Sequence, residues 1–356
     1  MAKELTIHIG MGKTGTTALQ NFFWANRRPL SKLGILYPKT GIMSDAHHLL
    51  SPHIPKFLLG QWDFQTPDQW APKLSQCKED KILISSELIA WATPEAISAF
   101  CTEVKKHFDI RILVYLRRQD DIIMATYNQQ VKAGAQKRDL HHILDNLIVR
   151  FNYLDKIQPW ADALGADKIL VRAYEKTQFH NGDIRSDLLY HAYGVEPGRT
   201  FSYNHADANP RLSNSTMEYK RLINVLEDNR EQTVLFNAPL AEYAKKFPRP
   251  QRDILSPNDR IKILDHATVV NESIAINYMG RPSGILFDAP LPNPDDPWDS
   301  NPLPHSEGVA ISKFLQQKYP KLFQRLQSFI QRERDSIKPF HKQTANQLGR
   351  FTDELS

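Results

Sequence analysis

The sequence predicts an α/β protein with a three-layer fold, in which a central, mainly parallel sheet is flanked by helices, followed by a mostly helical C-terminal region. Short apolar strands alternate with helical segments over residues 1–200, as expected where crossovers join parallel strands. Over residues 201–356 the helical pattern continues without intervening strands. With roughly 150 residues as the usual domain size, we expect an α/β core over 1–200 and a helical extension over 201–356.

Each predicted strand is a short apolar run that ends at a glycine, a proline or a polar residue. The strands are predicted at residues 4–9, 34–38, 81–85, 110–116 and 168–171. Helices show apolar residues at three- and four-residue spacings, as Leu19, Phe22 and Phe23 do, or begin with a capping residue such as Thr93. They are predicted from residue 16 onward and at residues 93–108, 120–132, 183–192, 212–226, 257–278 and 306–351.

Composition excludes several classes of protein. The chain has 41% hydrophobic and 10% aromatic residues, which is enough apolar material to fold. It has no apolar run near 18 residues, no secretory signal and two cysteines, so we expect no stable membrane insertion, no disulfide framework and a cytoplasmic location. The net charge of +5 is dispersed, so we expect no nucleic-acid partner. The oligomeric state stays open.

The most informative motif is the loop that joins the first strand to the first helix. Glycines let successive N–H groups converge on an anion, and the start of a helix adds its dipole. A lysine adds positive charge, and threonine hydroxyls add donors. The candidate anion-binding residues are Gly12, Lys13, Thr14, Gly15, Thr16 and Thr17.

Two other loop motifs overlap with this one. Gly10, Gly12 and Gly15 satisfy the dinucleotide fingerprint, which also needs an acidic residue about 20 positions later. No Asp or Glu occurs between Glu4 and Asp45, which disfavours that interpretation. The loop of nucleoside triphosphatases would place its first glycine at position 7, where this chain has isoleucine.

A second motif follows the strand at 110–116. Arg118 ends that strand, and Thr126 stands eight positions later on the next predicted helix. A guanidinium and a hydroxyl at this spacing can bind one dianion from two sides. Arg117 is expected to point to the opposite side of the strand.

Glu87 is the candidate general base, because it follows the strand at 81–85, where open α/β sheets carry their sites. His47 and its neighbour His48 are the alternatives, as base or acceptor-binding groups. The sequence lacks an H-E-x-x-H motif and closely spaced aspartates, so we expect no metal.

The loop Gly12-Lys13-Thr14-Gly15-Thr16-Thr17 resembles the 5′-phosphosulfate loop of sulfotransferases that use 3′-phosphoadenosine 5′-phosphosulfate (PAPS). The pair Arg118 and Thr126 resembles their 3′-phosphate site, with threonine where the family usually has serine and Asp120 where proline is frequent. The segment from Arg172 to Glu175 resembles a V-R-x-Y-E stretch of bacterial members, and residues 209–213 resemble a later loop. The chain thus resembles bacterial carbohydrate sulfotransferases.

This resemblance implies a P-loop-like fold and in-line transfer of the PAPS sulfuryl group to an acceptor hydroxyl, with release of 3′-phosphoadenosine 5′-phosphate (PAP). It implies that Glu87 takes the proton, that Lys13 stabilises developing charge and that no metal is required. Arg172 is expected either to line the cofactor cleft or to pair with Glu175. The acceptor is expected to be a saccharide or another small hydroxylated molecule, with the helical extension covering its cleft. A P-loop kinase that uses ATP and magnesium, or a non-catalytic nucleotide-binding relative, remains the alternative.

Overall fold

A five-stranded parallel sheet forms the centre of the fold in the computed structural model, which describes residues 2–53, 60, 62–198, 201–203, 212–250 and 252–355. Its strands, in spatial order β2-β3-β1-β4-β5, are β1 (Lys3–His8), β2 (Ile35–Leu36), β3 (Lys81–Ser85), β4 (Phe108–Leu116) and β5 (Ile169–Ala173). The predicted α/β fold class with a mainly parallel sheet is therefore confirmed. Residues 209–211 of the later loop lie outside the described residues.

Helices occupy much of the remaining described chain. They are α1 (Thr16–Ala25), α2 (Arg27–Lys32), α3 (Pro67–Leu74), α4 (Pro94–Val104), α5 (Gln119–Lys132), α6 (Leu140–Arg150), α7 (Leu154–Leu164), α8 (Ile184–Tyr193), α9 (Asn214–Leu226), α10 (Arg230–Val234), α11 (Asn237–Lys246), α12 (Pro257–Met279), α13 (His305–Lys318), α14 (Pro320–Arg334) and α15 (Pro339–Asp353).

Helices cover both faces of the sheet because the strands are apolar on both sides. On one face, Phe22 and Phe23 of α1 and Leu188 of α8 pack against Leu113 and Tyr115 of β4. Phe108 lies at an odd spacing from those two β4 residues and therefore points to the opposite face. There it contacts Trp70 of α3, which in turn packs on Phe100 of α4. The aromatic side chains on the two faces thus pack the helices against the sheet, and the ends of its strands carry the predicted site residues.

Contacts divide the chain into two compact units, and the division differs from a single boundary at residue 200. The first unit comprises Met1–Gln119, Phe151–His205 and Leu264–Pro290. The second comprises Asp120–Arg150, Ala206–Ile263 and Leu291–Ser356. Segments distant in sequence therefore fold together in each unit, which the order of predicted elements along the chain does not reveal.

Several element boundaries also differ from the predictions. The helix expected to reach residue 108 ends at Val104, since Phe108 already begins β4. The single helical stretch expected over 306–351 is three helices, α13 to α15, and prolines at positions 320 and 339 begin two of them. Proline suits the first turn of a helix but interrupts its interior, which explains these breaks.

Candidate active site

The predicted site residues of the first unit lie at the carboxyl edge of the sheet. Strand β1 runs between β3 and β4, so the segments that leave these three strands meet at that edge. The glycine-rich loop leaves β1, Glu87 follows β3, and Arg117 and Arg118 follow β4. Parallel α/β sheets commonly bind ligands there, where consecutive strands lie on opposite sides of a central one.

The loop backbone curls through three residues with positive φ. Gly10 has φ +49°, Lys13 has φ +71° and Gly15 has φ +76°. A side chain at Gly10 would place its Cβ 2.7 Å from Cγ2 of Thr16, so glycine is required there. Lys13 holds a left-handed conformation that costs a non-glycine residue roughly 1–3 kcal/mol, and such strain tends to occur at functional sites.

The loop side chains divide into buried and exposed groups. The Thr14 side chain is buried and donates to the carbonyl of Met11 at 2.5 Å, which stabilises the turn from inside. Thr16 is also buried, at the first position of α1. Gly12 and Thr17 are exposed, and a Cβ at Gly12 would meet no atom within 4 Å. The loop therefore offers backbone and Thr17 to a ligand, while Thr14 supports its shape.

Lys13 is half-buried and interacts electrostatically with two charged neighbours. Burial lowers the pKa of its ammonium group, Glu87 acts to raise this pKa, and Arg117 acts to lower it. The guanidinium of Arg117 donates to the backbone carbonyl of Lys13 at 3.3 Å. The loop, Glu87 and Arg117 thus form one cluster of charges in the first unit.

Glu87 lies directly against the loop, and Gln20 holds its carboxylate. A Cβ at Gly10 would lie 3.5 Å from both Cα and Cβ of Glu87, which shows how closely the segments approach. The side-chain amide of Gln20 donates to Oε2 of Glu87 at 2.9 Å and to the hydroxyl oxygen of Ser85 at 3.3 Å. The base candidate is therefore oriented by a residue of α1, the helix that the loop opens.

A buried histidine of β1 also contacts this network. His8, fully buried at the end of β1, lies with Nδ1 2.8 Å from the hydroxyl of Ser85. Burial lowers the pKa of His8 to about 4, against the opposing effect of Glu87. Because this pKa lies well below 7, we expect His8 to be neutral at pH 7.

His47 and His48 occupy different positions despite being adjacent. Nδ1 of His47 accepts from the backbone N–H of Ser85 at 3.1 Å, and its Nε2 lies 3.0 Å from the carbonyl of Pro38. Burial lowers the pKa of His47 to about 3, and both of its nitrogens are engaged by the backbone. His48 is nearer the site, with Nε2 3.9 Å from Oε1 of Glu87. Burial lowers the pKa of His48, and Glu87 opposes this shift.

The two residues predicted to bind the 3′-phosphate, Arg118 and Thr126, belong to different compact units. Arg118 is 8% exposed and donates to the carbonyls of Ala289 at 3.3 Å and Pro290 at 2.8 Å, both in the first unit. Thr126 lies on α5 within the second unit and is half-buried. Their shared phosphate stays a prediction.

Arg172 forms a buried ion pair in the core rather than an open cationic site. Its guanidinium donates to both carboxylate oxygens of Asp187, at 2.7 and 3.0 Å, and to the carbonyl of Gln178. Tyr115 donates to the same carboxylate at 2.7 Å. Burial acts to raise the pKa of Asp187, but these donors, above all Arg172, lower it overall. The arrangement ties β5 to α8.

Sequence patterns missed two site residues, Gln20 and Arg117. Gln20 is an ordinary helix residue by spacing, and its role depends on β3 running beside β1. The alternation of side chains along a strand predicted that Arg117 points away from Arg118 and the site. Strand β4 ends at Leu116, so this alternation does not extend to Arg117. No local pattern distinguishes Gln20 from the other polar residues of α1.

Within the described ranges, no group of three His, Cys, Asp or Glu side chains is arranged to hold a metal ion. Among the helices of the described residues, none combines the length and the apolar character needed to span a bilayer.

Comparisons with known proteins match the chain to a curated sequence and to solved structures. No protein-family model matches the sequence. The chain is 28% identical over 190 residues to an uncharacterized protein of Archaeoglobus fulgidus, a match that covers 51% of this chain and 50% of that protein. The match therefore spans half the length of the curated relative. Among solved structures, a sulfotransferase from Alicyclobacillus acidocaldarius matches 58% of this chain and 88% of its own, with 14% identity and a TM-score of 0.39.

Proposed function

We propose that this chain is a sulfotransferase that moves the sulfuryl group of PAPS to an acceptor hydroxyl and releases PAP. The observation that carries the proposal is the direct approach of Glu87 to a strained, lysine-bearing anion loop, with 3.5 Å between Glu87 and the Cβ position of Gly10. Group transfer of this kind needs an anion site and a proton acceptor side by side. The sequence of the loop, which resembles the 5′-phosphosulfate loop, supports PAPS as the donor.

The loop suits the 5′-phosphosulfate group by shape and by charge. In this proposal the positive-φ turns at Gly10, Lys13 and Gly15 direct free backbone N–H groups to the anion, and the start of α1 adds the positive end of its dipole. Lys13 adds a cation at the same place. Together they would stabilise negative charge on the transferring group and on the leaving phosphate oxygen.

Glu87 acts as the general base in this proposal. As the acceptor oxygen bonds to sulfur, the bond between sulfur and the phosphate oxygen breaks, and the hydroxyl proton moves to Glu87. Gln20 engages Oε2, so Oε1 is the oxygen that takes the proton, with His48 beside it. His47 fits this role less well because the backbone occupies both of its nitrogens.

The other cofactor residues take more specific roles in the proposal. Arg118 and Thr126 would bind the 3′-phosphate, with Arg118 exchanging its carbonyl contacts for phosphate oxygens. Arg172 would support the site through its pair with Asp187 rather than touch the donor. No residue of the proposed chemistry requires a metal ion.

The acceptor in this proposal is a saccharide or another small hydroxylated molecule. A carboxylate base suits a hydroxyl, which must lose its proton as it attacks. The rings of Trp24 and Trp91 already face cations, since Arg27 lies 3.4 Å from the ring centre of Trp24 and Lys156 lies 4.8 Å from that of Trp91, so neither ring is proposed as a stacking surface for a sugar.

A thermal-shift panel tests the donor assignment. Wild type and Lys13→Ala are melted with PAP, ADP, ATP with magnesium, and NAD. Ligand at about 100 times its Kd stabilises by roughly 2.7 kcal/mol, so PAP is expected to raise the Tm of the wild type and to lose most of that effect in Lys13→Ala. A shift with ATP and magnesium but not with PAP would favour the kinase alternative and reject the sulfotransferase.

A further inference from the structure

A cavity of about 610 Å³ lies wholly within the second unit, in the range of about 300–1,000 Å³ usual for small-molecule sites. Its wall comes from α5, from the start of α9, from the segment before α12 and from the proline-rich segment after residue 291. The charged side chains that line it are Arg249, Arg252, Arg260, Asp253, Asp296 and Asp299. The three arginines and three aspartates have no net formal charge. The charge that the cavity offers to a ligand therefore depends on which of these side chains already pair with protein groups.

Arg260 is fully committed to carboxylates of its own unit. Its Nη1 donates to Oδ2 of Asp253 at 2.5 Å, and its Nε and Nη2 donate to Oδ2 of Asp120 at 2.8 and 2.6 Å. The side chain of Asp120 is fully buried. This pair therefore stabilises the wall and offers no charge to a ligand.

The two remaining aspartates each receive one protein donor. Asn214 donates to Oδ2 of Asp299 at 3.1 Å, and the backbone N–H of Asn293 donates to Oδ2 of Asp296 at 2.8 Å. A carboxylate accepts at both oxygens, so the second oxygen of each can accept from a ligand. These side chains are suited to hydroxyl groups.

Among the described residues, the guanidinium groups of Arg249 and Arg252 donate no hydrogen bond, in contrast to that of Arg260. Both are exposed. Nη1 of Arg249 lies 3.9 Å from Oε2 of Glu307, beyond hydrogen-bond distance, and Arg252 makes no ion pair within the part of the chain that the structure describes. Each guanidinium carries five N–H donors in a planar fork that matches a carboxylate or sulfate. The available charge of the cavity is thus positive.

The start of α9 adds donors to these two arginines. Ser213 caps this 13-residue helix and accepts from the backbone N–H of Thr216 at 3.4 Å. The first helical residues, Asn214 and Ser215, line the cavity. The first N–H groups of a helix have no acceptor inside it, and they carry the positive end of the dipole.

We infer that this cavity binds an anionic group carried by a hydroxylated ring, the chemistry of an acidic sugar. Arg249, Arg252 and the first turn of α9 bind the anion, and the second oxygens of Asp296 and Asp299 accept from ring hydroxyls. A polyanion is disfavoured, because the same aspartates would repel further negative charges. This site includes none of the residues proposed for transfer at Glu87 and is tested by binding alone.

Isothermal titration of the full chain tests the inference with three probes: a trisaccharide ending in glucuronate, its glucose-ended counterpart and inorganic sulfate. The variants are the double substitution Arg249→Gln with Arg252→Gln, the single substitution Asp296→Asn, and Lys321→Gln, an exposed lysine of α14 outside the cavity. Thermal melts establish that each variant is folded.

The glucuronate trisaccharide is expected to bind at least about 10-fold more tightly than either other probe, and the double variant to lose about 10- to 100-fold of that affinity. Asp296→Asn should weaken the trisaccharide and leave sulfate binding unchanged or tighter, because it removes a negative charge from the wall, while Lys321→Gln should change neither. Equal affinity for the glucose-ended sugar, or an unchanged double variant, overturns the inference. Sulfate that binds as tightly as the trisaccharide overturns the sugar assignment. None of these outcomes depends on sulfuryl transfer.

Discussion

Lys13 in the first unit and Lys220 in the second are both lysines whose pKa burial lowers, but their surroundings differ. Lys13 is half-buried, next to an exposed glycine, and faces Glu87 and Arg117. Lys220 is fully buried, its pKa is lowered to about 7, and its ammonium group donates to Asn224 and to the carbonyl of Val131. A lowered pKa therefore does not identify a site. Lys13 is a candidate site residue because it also lies on a strained loop, beside exposed residues and facing a carboxylate.

Glu87→Gln is expected to have the largest effect, because it removes the proton acceptor while keeping the shape and the contact with Gln20. Loss of a general base costs roughly 100- to 10,000-fold in rate. We expect kcat to fall within that range while the Kd for PAP changes less than about threefold. An unchanged kcat with intact PAP binding would contradict the role of Glu87.

Replacing each lysine by methionine tests the contrast between them directly. Lys13→Met should lower kcat by roughly 100- to 1,000-fold, because it removes a positive charge from the transition-state site. Lys220→Met should leave kcat unchanged and lower the Tm, because Oδ1 of the buried Asn224 loses its donor. Activity and Tm are measured for both variants. An equal loss of activity in both would contradict a specific role for Lys13 and would indicate a general loss of stability.

Gln20→Met tests whether α1 orients the base. It is nearly isosteric and removes the hydrogen bond to Oε2 of Glu87, so we expect about a 10-fold loss in kcat with the KM for PAPS unchanged. Gln20→Glu serves as the comparison, because a second carboxylate should move the acidic limb of the pH–rate profile upward. An unchanged profile in Gln20→Glu would limit Gln20 to packing.

The stability of the protein should rise with pH because of Lys220. Its pKa of about 7 in the folded protein lies below the value of roughly 10.4 for an unfolded lysine. Between these values the unfolded chain binds more protons, so the free energy of unfolding increases with pH, by up to about 1.4 kcal/mol per pH unit for one group. Urea melts from pH 7 to 9 should show this slope in wild type and a smaller slope in Lys220→Met.

Local patterns predicted the sheet and the loop well. Strands β1, β3 and β4, the helix that follows the loop and the cap at Thr93 were all visible, because apolar runs and capping residues act within a few positions. Helix α3 escaped prediction because Pro72 lies inside it and it is short. Helix α7 likewise contains Pro159.

The site was predictable where one segment carries the chemistry and not where several segments meet. Lys13 and Glu87 each follow a strand with a recognisable pattern. Gln20, by contrast, contributes through a partner 67 positions away, and the buried pairing of Arg172 with Asp187 depends on how α8 packs. Such contacts are set by the tertiary fold, which a single sequence without a family model does not encode in any short pattern.

The most direct test of the central claim is to incubate the chain with PAPS, or with ATP and magnesium, in the presence of a panel of hydroxylated acceptors. High-resolution mass spectrometry distinguishes a transferred sulfate from a transferred phosphate. Our account predicts sulfated product from PAPS with wild type and almost none with Glu87→Gln. Phosphorylated product from ATP, or PAP binding without any product across the panel, would contradict it.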